Sequence, residues 1–397
     1  MKKNKTFTTL LVSSLMLVGA LSSCSNNENN HPTPSPIDKE LVDSVYFTEL
    51  YHGDNINDCA VELSANVDTD ISKLTINFYR NEEITKKLSL KNEKTLKKNE
   101  TLVIMNKDFK NVTDVEGRTI QLEDNFIFNC FYFEIVDEYN RIVDSIGNYG
   151  FNLTNCYEES LIRLPDFFKA RPVYRELDFI RVRKEGMKYL GNLKSPVTLE
   201  KLLKGPVLDE TRYGNLNFTD ENGLPTGGYN FVRIAKNGLG DGDTTQFDWP
   251  KESGISNGYK SRVRYLLCDT PEIYHGPNSN VDPEPFGNEA QRFNNVRLKN
   301  ATKIIVQSNK GYSTRDTYGR TLGYVWYTDV KNPKISDFKL LNFEIVLAGL
   351  ARATFRERYE TMYSNDILYS DYIKYGYQLA IEKGIKIHGE IDPEFNY

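Results

Sequence analysis

The chain has 397 residues, 39% hydrophobic and 26% charged, with a formal net charge of −5. That composition excludes a disordered polymer and a polytopic membrane protein, and the length suits two or three domains. The negative balance excludes a simple nucleic-acid coating protein, so any role on nucleic acid must rest on a local site.

Residues 1–24 read as an export segment. Lys2, Lys3 and Lys5 form a positive start, and an apolar stretch over 9–20 is too short to span a membrane permanently. Leu21-Ser22-Ser23-Cys24 follows. This small-residue run ending in cysteine resembles the lipobox of bacterial lipoproteins. The resemblance implies lipidation at Cys24 and a lipid-anchored, exported protein of the bacterial cell envelope, in the outer membrane. Residues 25–40, rich in Asn, Pro and Ser, are expected to form a disordered tether. Of the other cysteines, at most two of Cys59, Cys130 and Cys156 can pair, and Cys268 is expected to be a free buried thiol.

Residues 41–195 read as mostly β. Short strands are expected at 47–51, 60–63, 73–78, 87–90, 102–105, 126–128, 132–136 and 142–146, with 161–165 as a closing strand. Turns rich in Asn, Asp, Gly and Lys separate them. Such spacing predicts a β-sandwich. Charged loops such as 91–100 read as solvated surface, and no catalytic constellation stands out here.

Three pieces of this half carry a family likeness: Ala60-Val61-Glu62-Leu63, Asp70-Ile71-Ser72-Lys73-Leu74, and the hairpin ending in Arg141-Ile142-Val143-Asp144-Ser145. They resemble the lamin-tail family, which implies an immunoglobulin-like sandwich. Residues 196–227, which begin polar and contain proline, are expected to be a linker.

From residue 228 the pattern changes. Strands are expected at 229–235, 263–268, 303–307 and 322–327, and helices at 288–300, 343–355 and 366–383. Ala290, Phe293, Val296 and Leu298 form the apolar stripe of the first helix. Gly384 is placed as a helix stop. Strands first, then helices inserted and appended, fit a small barrel decorated by helices.

Three motifs in this half carry chemistry: Asp241-Gly242-Asp243-Thr244, Arg264-Tyr265-Leu266-Leu267-Cys268-Asp269-Thr270-Pro271-Glu272, and Asp316-Thr317-Tyr318-Gly319-Arg320. Asp-Gly alone would be a hairpin turn. Taken with Asp269, it becomes part of a carboxylate set for a hard cation such as Ca²⁺. Glu272 could equally start a helix after Pro271 or serve as a general base. Arg264 and Arg320 carry guanidinium forks suited to phosphate. Together the motifs hold the inventory for metal-assisted phosphodiester cleavage.

The ordered set, with Gly287-Asn288-Glu289-Ala290 and Lys310-Gly311 between the motifs, resembles the staphylococcal-nuclease (thermonuclease) family over residues 228–397. The resemblance implies an OB-fold β-barrel with three helices and a Ca²⁺-dependent endonuclease acting on DNA or RNA. It implies Asp243, Asp269 and the Thr270 carbonyl as metal ligands, with Asp241 in the outer shell. Glu272 becomes the base that activates water, Arg264 and Arg320 the phosphate clamps, and Tyr318 and Phe355 substrate contacts. Products would carry 3′-phosphate ends. The whole chain is then mainly β with α, a sandwich followed by a barrel.

Departures from the family pattern lie in the loops: residues 248–260 are inserted, Asp282 and Glu284 stand where lysines are usual, and Glu357 stands where a second aromatic is usual. Residues 205–397 hold 23 Lys and Arg against 25 Asp and Glu, so nonspecific strand binding there should be modest. The alternative from another class is a catalytically inactive surface lipoprotein that binds nucleic acid or protein.

Overall fold

The computed structural model describes residues 44–55, 57–80, 82–110, 112–125, 132–147, 159–209, 217–255, 261–273, 283–311, 313–354 and 362–391. Residues 39–397 form one compact unit. Cys24, Cys130, Cys156, Phe355 and the strand expected at 126–128 lie outside the described residues. Cys59 and Cys268 are buried, and Cys268 is a free thiol.

The first layer pair begins with strands β1 (Val45–His52), β2 (Cys59–Ala65), β3 (Thr75–Arg80), β4 (Glu83–Ser89) and β5 (Thr101–Met105). It continues with β6 (Arg118–Gln121), β7 (Tyr132–Val136), β8 (Ile142–Gly147), β9 (Glu159–Arg163) and β10 (Phe179–Val182). One sheet runs β10-β9-β1-β2-β5-β6 and the other β4-β3-β7-β8. Phe47, Leu63 and Leu102 from the first meet Ile76, Phe78, Phe133 and Ile135 from the second in one apolar core. Alternation along each strand supplies that inner face.

The outer face of the larger sheet is also covered. Tyr51, Ala60, Val103 and Met105 pack there with Phe109 and Leu190. Strands β1 and β2 are therefore buried on both faces. The hairpin residue Asp144 lies in the interior: Arg163 donates to both of its oxygens at 3.0 and 2.8 Å, and the Phe47 N–H donates at 2.7 Å. Two strands of this half were not expected from the sequence. β6 has only alternating half-burial and pairs parallel to β5, and β10 extends the sheet beyond β9.

The segment expected to be a linker is packed. Val197, Leu202 from helix α1 (Leu199–Leu203), Leu208 and Phe218 join the same core as the second half of the chain. Thr198 caps α1 by accepting the Lys201 N–H. The preceding stretch is tied in by charge as well: Arg183 pairs with Asp371 at 2.9 Å and Arg175 with Glu382 at 2.6 Å.

The second half holds β11 (Tyr229–Leu239), β12 (Thr244–Asp248), β13 (Arg262–Tyr265), β14 (Lys303–Gln307), β15 (Thr321–Thr328) and the short β16 (Lys339–Leu340). The order is β13-β12-β11-β14-β15-β16, and β13 also pairs parallel with β15. That pairing closes five strands into a barrel, which leaves no open edge among them. Helices α2 (Gly287–Asn300), α3 (Leu341–Leu347) and α4 (Tyr369–Glu382) decorate it. Trp326, fully buried, donates its indole N–H to Gln307 at 3.0 Å and meets Tyr369 edge-on.

Three local expectations need correction. The strand expected over 263–268 stops at Tyr265, and Leu267 adopts φ +58°. This bend turns Asp269 back toward Arg264. The helix expected over 343–355 ends at Leu347, because Gly349 (φ +69°) packs where a Cβ would meet the Ile385 carbonyl at 2.5 Å. On α2 the buried stripe is Ala290, Asn294 and Leu298, while Val296 is exposed.

Candidate active site

The Asp241-Gly242-Asp243 turn joins β11 to β12 and is pressed into the barrel wall. A Cβ on Gly242 would stand 2.6 Å from Thr270 Cγ2 and 2.8 Å from Ala290 Cβ of α2. Only glycine permits that approach. Asn294, buried on α2, donates to the Asp241 carbonyl at 3.1 Å and accepts from the Tyr265 hydroxyl at 2.9 Å. The turn is thus fixed from the helix side.

Asp243 is buried, and both of its oxygens are engaged. Oδ2 accepts the Thr270 N–H at 2.7 Å, while Oδ1 accepts from Arg264 and from the Thr244 hydroxyl. Register places Arg264 there, since β12 and β13 run antiparallel with Thr244 opposite Arg264. The other arm of Arg264 donates to Asp269, which the bend after β13 has brought round. Asp269 in turn is clamped by two backbone hydrogen bonds to Arg352, at 2.9 and 2.8 Å.

Charge in this cluster is unbalanced. Burial pushes Asp243 up to about 7; Asp241 and Asp269 add repulsion, while Arg264 and the Thr270 N–H pull the other way. Burial opposes the charge on Arg264, but the two carboxylates outweigh it and hold that guanidinium above its ordinary range.

Arg320 approaches from the neighbouring strand. Asp316 accepts its Nε–H at 2.6 Å and its backbone N–H at 2.8 Å, in a turn completed by Gly319 at φ +82°. Nη1 of Arg320 lies 3.4 Å from the Thr244 hydroxyl. Tyr318 is 72% exposed, and the Arg320 guanidinium sits 5.5 Å from its ring centre. The run Arg320–Thr244–Asp243–Arg264–Asp269 is therefore continuous.

Glu272 follows Thr270 by two residues, and the described residues 271–273 belong to no helix or strand. Its backbone N–H donates to Glu284 at 3.2 Å, and its carbonyl accepts the Glu284 N–H at 2.9 Å. Glu284 thus fastens the loop start. Of the expected residues, Asp241, Asp243, Asp269, Thr270, Arg264 and Arg320 come together, and Glu272 stands beside them in sequence. Tyr318 lies at the rim.

Thr244, Asp316 and Asn294 were given no role by sequence reasoning. The first two sit inside the quoted motifs, and the signal for Asn294 was a polar residue on the apolar stripe of α2.

The donor set fits a hard divalent cation in its chemistry: Asp243 and Asp269 face one guanidinium, Asp241 is near enough to repel Asp243, and all donors are oxygens. Among the described residues, no group of three acidic, His or Cys side chains stands ready to hold an ion. Asp243 and Asp269 instead share Arg264.

Comparison with known proteins agrees with this geometry. Over 123 residues the chain is 37% identical to "Endonuclease YncB" of Bacillus subtilis (strain 168), covering 31% of this chain and 48% of that protein. Over 115 residues it is 35% identical to "Thermonuclease" of Staphylococcus intermedius, covering 29% of this chain and 55% of that protein. The chain thus spans about half the length of these relatives. Residues 262–372, which carry Arg264, Asp269, Glu272 and Arg320 but begin after the Asp241-Gly242-Asp243 turn, match the family described as "Staphylococcal nuclease homologue".

Proposed function

We propose that the chain is an exported, lipid-anchored nuclease that hydrolyses phosphodiester bonds of DNA or RNA with Ca²⁺. The observation that carries this reading is the continuous run from Arg320 to Asp269 on a closed five-stranded barrel. Asp243, Asp269 and the Thr270 carbonyl would hold the cation, with Asp241 adding charge behind them. Bound there, Ca²⁺ would supply Lewis-acid polarisation of a phosphoryl oxygen.

The chain's own residues do the remainder. Arg264 and Arg320 bind the phosphate oxygens and offset the charge that builds on them in the transition state. Asp316 and Thr244 hold Arg320 at its angle. Glu272 orients a water and takes its proton as the oxygen attacks phosphorus in line. Tyr318 and Phe355 contact the substrate beyond the scissile phosphate, and the products carry 3′-phosphate ends.

Cys24 carries the lipid and 25–40 the tether, in the outer membrane. The lamin-tail-like, immunoglobulin-like sandwich holds the barrel away from the membrane. Fatty-acid labelling that persists after Cys24→Ser would refute the anchor.

The test of activity uses the chain without residues 1–24 on single- and double-stranded DNA and on RNA, with Ca²⁺ and with chelator, beside Glu272→Gln. Cleavage should require Ca²⁺ and fall by at least about a hundredfold in the variant. No cleavage of any substrate by the folded chain would leave the inactive binding protein as the reading.

A further inference from the structure

A markedly basic surface of this acidic chain lies in the sandwich. Residues 84–98 hold six lysines and one glutamate, on a protein of net charge −5. Among the described residues, strand β4 is an edge strand paired only with β3. It carries Lys87 outward, and the following loop exposes Lys91, Lys94, Lys97 and Lys98.

The loop is built rather than loose. Leu90 and Leu96 are buried anchors. Leu96 exchanges two backbone hydrogen bonds with Thr69, at 2.8 and 2.9 Å. Arg118 of β6 donates to the Lys94 carbonyl at 3.1 Å and the Thr95 carbonyl at 2.8 Å. Asp68 accepts the Lys98 N–H at 2.8 Å. The lysines therefore stand on a fixed backbone, and a ligand that binds them does not have to order the loop.

Their charges are also unspent. Of the nearby acids, Glu93 and Glu100 pair with Arg118, at 3.8 and 3.0 Å, and Asp68 is engaged by the Lys98 backbone N–H. Among the described residues no carboxylate pairs with Lys87, Lys91, Lys94, Lys97 or Lys98. The other basic stretch differs: Arg171, Arg175, Arg181, Arg183 and Lys188 each hold an acid. Edge-strand lysines commonly guard against sheet-to-sheet association. That accounts for Lys87 on β4 but not for the four lysines of the loop.

We infer that this lysine face is a second, non-catalytic docking surface for the sugar–phosphate backbone of the nucleic-acid substrate; this rests on the nuclease reading above. The half that bears the candidate active site has no positive surplus, with 23 basic and 25 acidic residues over 205–397. Retention of a long polyanion grows with the number of phosphates neutralised, and the lysine face supplies that neutralising charge. Both surfaces belong to one compact unit, so a strand held at the lysines is presented to the barrel at raised local concentration.

The test compares the full chain with a variant carrying Lys→Gln at 87, 91, 94, 97 and 98, and with one carrying Lys→Arg at the same five positions. Binding to a labelled duplex several helical turns long is measured by anisotropy in chelator, across a salt series. The Gln variant should bind at least about tenfold more weakly at low salt, and its salt slope should flatten by about 0.9 for each phosphate that is no longer neutralised. The Arg variant should bind like the parent. With Ca²⁺, the Gln variant should cut long polymer more slowly and a dinucleotide at the parent rate.

Unchanged affinity and slope would overturn the inference. So would a Gln variant that keeps its nucleic-acid binding but loses its preference for phosphatidylglycerol over phosphatidylcholine vesicles, which would make the face a membrane surface. Because binding is read in chelator, a chain that proves unable to cut nucleic acid but loses binding in the Gln variant would sink the nuclease reading alone.

Discussion

Replacing Glu62 by Gln should flatten the pH dependence of this protein's stability and raise its stability at neutral and alkaline pH. Glu49 and Glu62 lie opposite each other on β1 and β2, both about 1% exposed. Burial drives Glu62 up to about 7, against the hydrogen bonds from the Thr48 hydroxyl and the Gly191 N–H. Glu49 is raised well above the carboxylate range by burial and then by Glu62, against the Ser160 hydroxyl. A carboxyl whose folded pKa is raised binds more protons folded than unfolded between the two values. Its stabilising share is complete below the unfolded value of 4.5 and is lost as pH rises through about 7. For Glu62 alone that loss is about 3 kcal/mol, at about 1.4 kcal/mol per pH unit. Glu49 acts in the same direction.

Urea unfolding followed by far-UV circular dichroism between about pH 5 and pH 8 reads this directly. The parent should weaken steadily across that range, and Glu62→Gln should lose much of the slope. A parent whose midpoint does not move, or a variant that keeps the full slope, would refute the argument that these carboxyls are buried and protonated.

Breaking the Asp144–Arg163 pair by Arg163→Met should cost about 3–5 kcal/mol, because Asp144 would lose its counter-ion in the interior and keep only the backbone N–H groups of Phe47 and Arg171; denaturant midpoints measure it. Gly242→Ala should destabilise by about 1–3 kcal/mol, since the new Cβ would overlap Thr270 and Ala290; the melting temperature and nuclease rate should fall together. Asp316→Ala should lower kcat by roughly tenfold by releasing Arg320 while moving the melt little, and Asp316→Asn should recover part of the loss.

Much of the candidate site was legible in the residues themselves, because its chemistry depends on side-chain type and order. Aspartates in a Gly turn, arginines in two successive motifs and a glutamate after proline can be named before any fold is known. Gly384 was legible too: a helix that ends at Glu382 with Lys383 as its C-cap needs a following residue free to take positive φ, and Gly384 adopts +57°. Most strand positions followed from alternation.

Tertiary structure decided the rest. Alternation tells which residues share a face of a strand, not what will cover that face. Glu49 and Glu62 would read as solvent-facing until a second layer, including Met187, Leu190 and Gly191, is laid over the outer face of the larger sheet. Helix propensity would carry α3 onward, but it ends at Leu347 and the chain turns at Gly349, where positive φ and the nearby Ile385 carbonyl leave no room for a Cβ. Likewise, Thr244 and Asn294 acquire their roles only from register and helix packing, and barrel closure through β13 and β15 brings Arg320 to Thr244. Composition along the chain shows that lysines crowd 84–98. That they stand outward and unspent follows from two contacts between separate strands and loops: Arg118 taking the nearby acids, and Thr69 pinning Leu96.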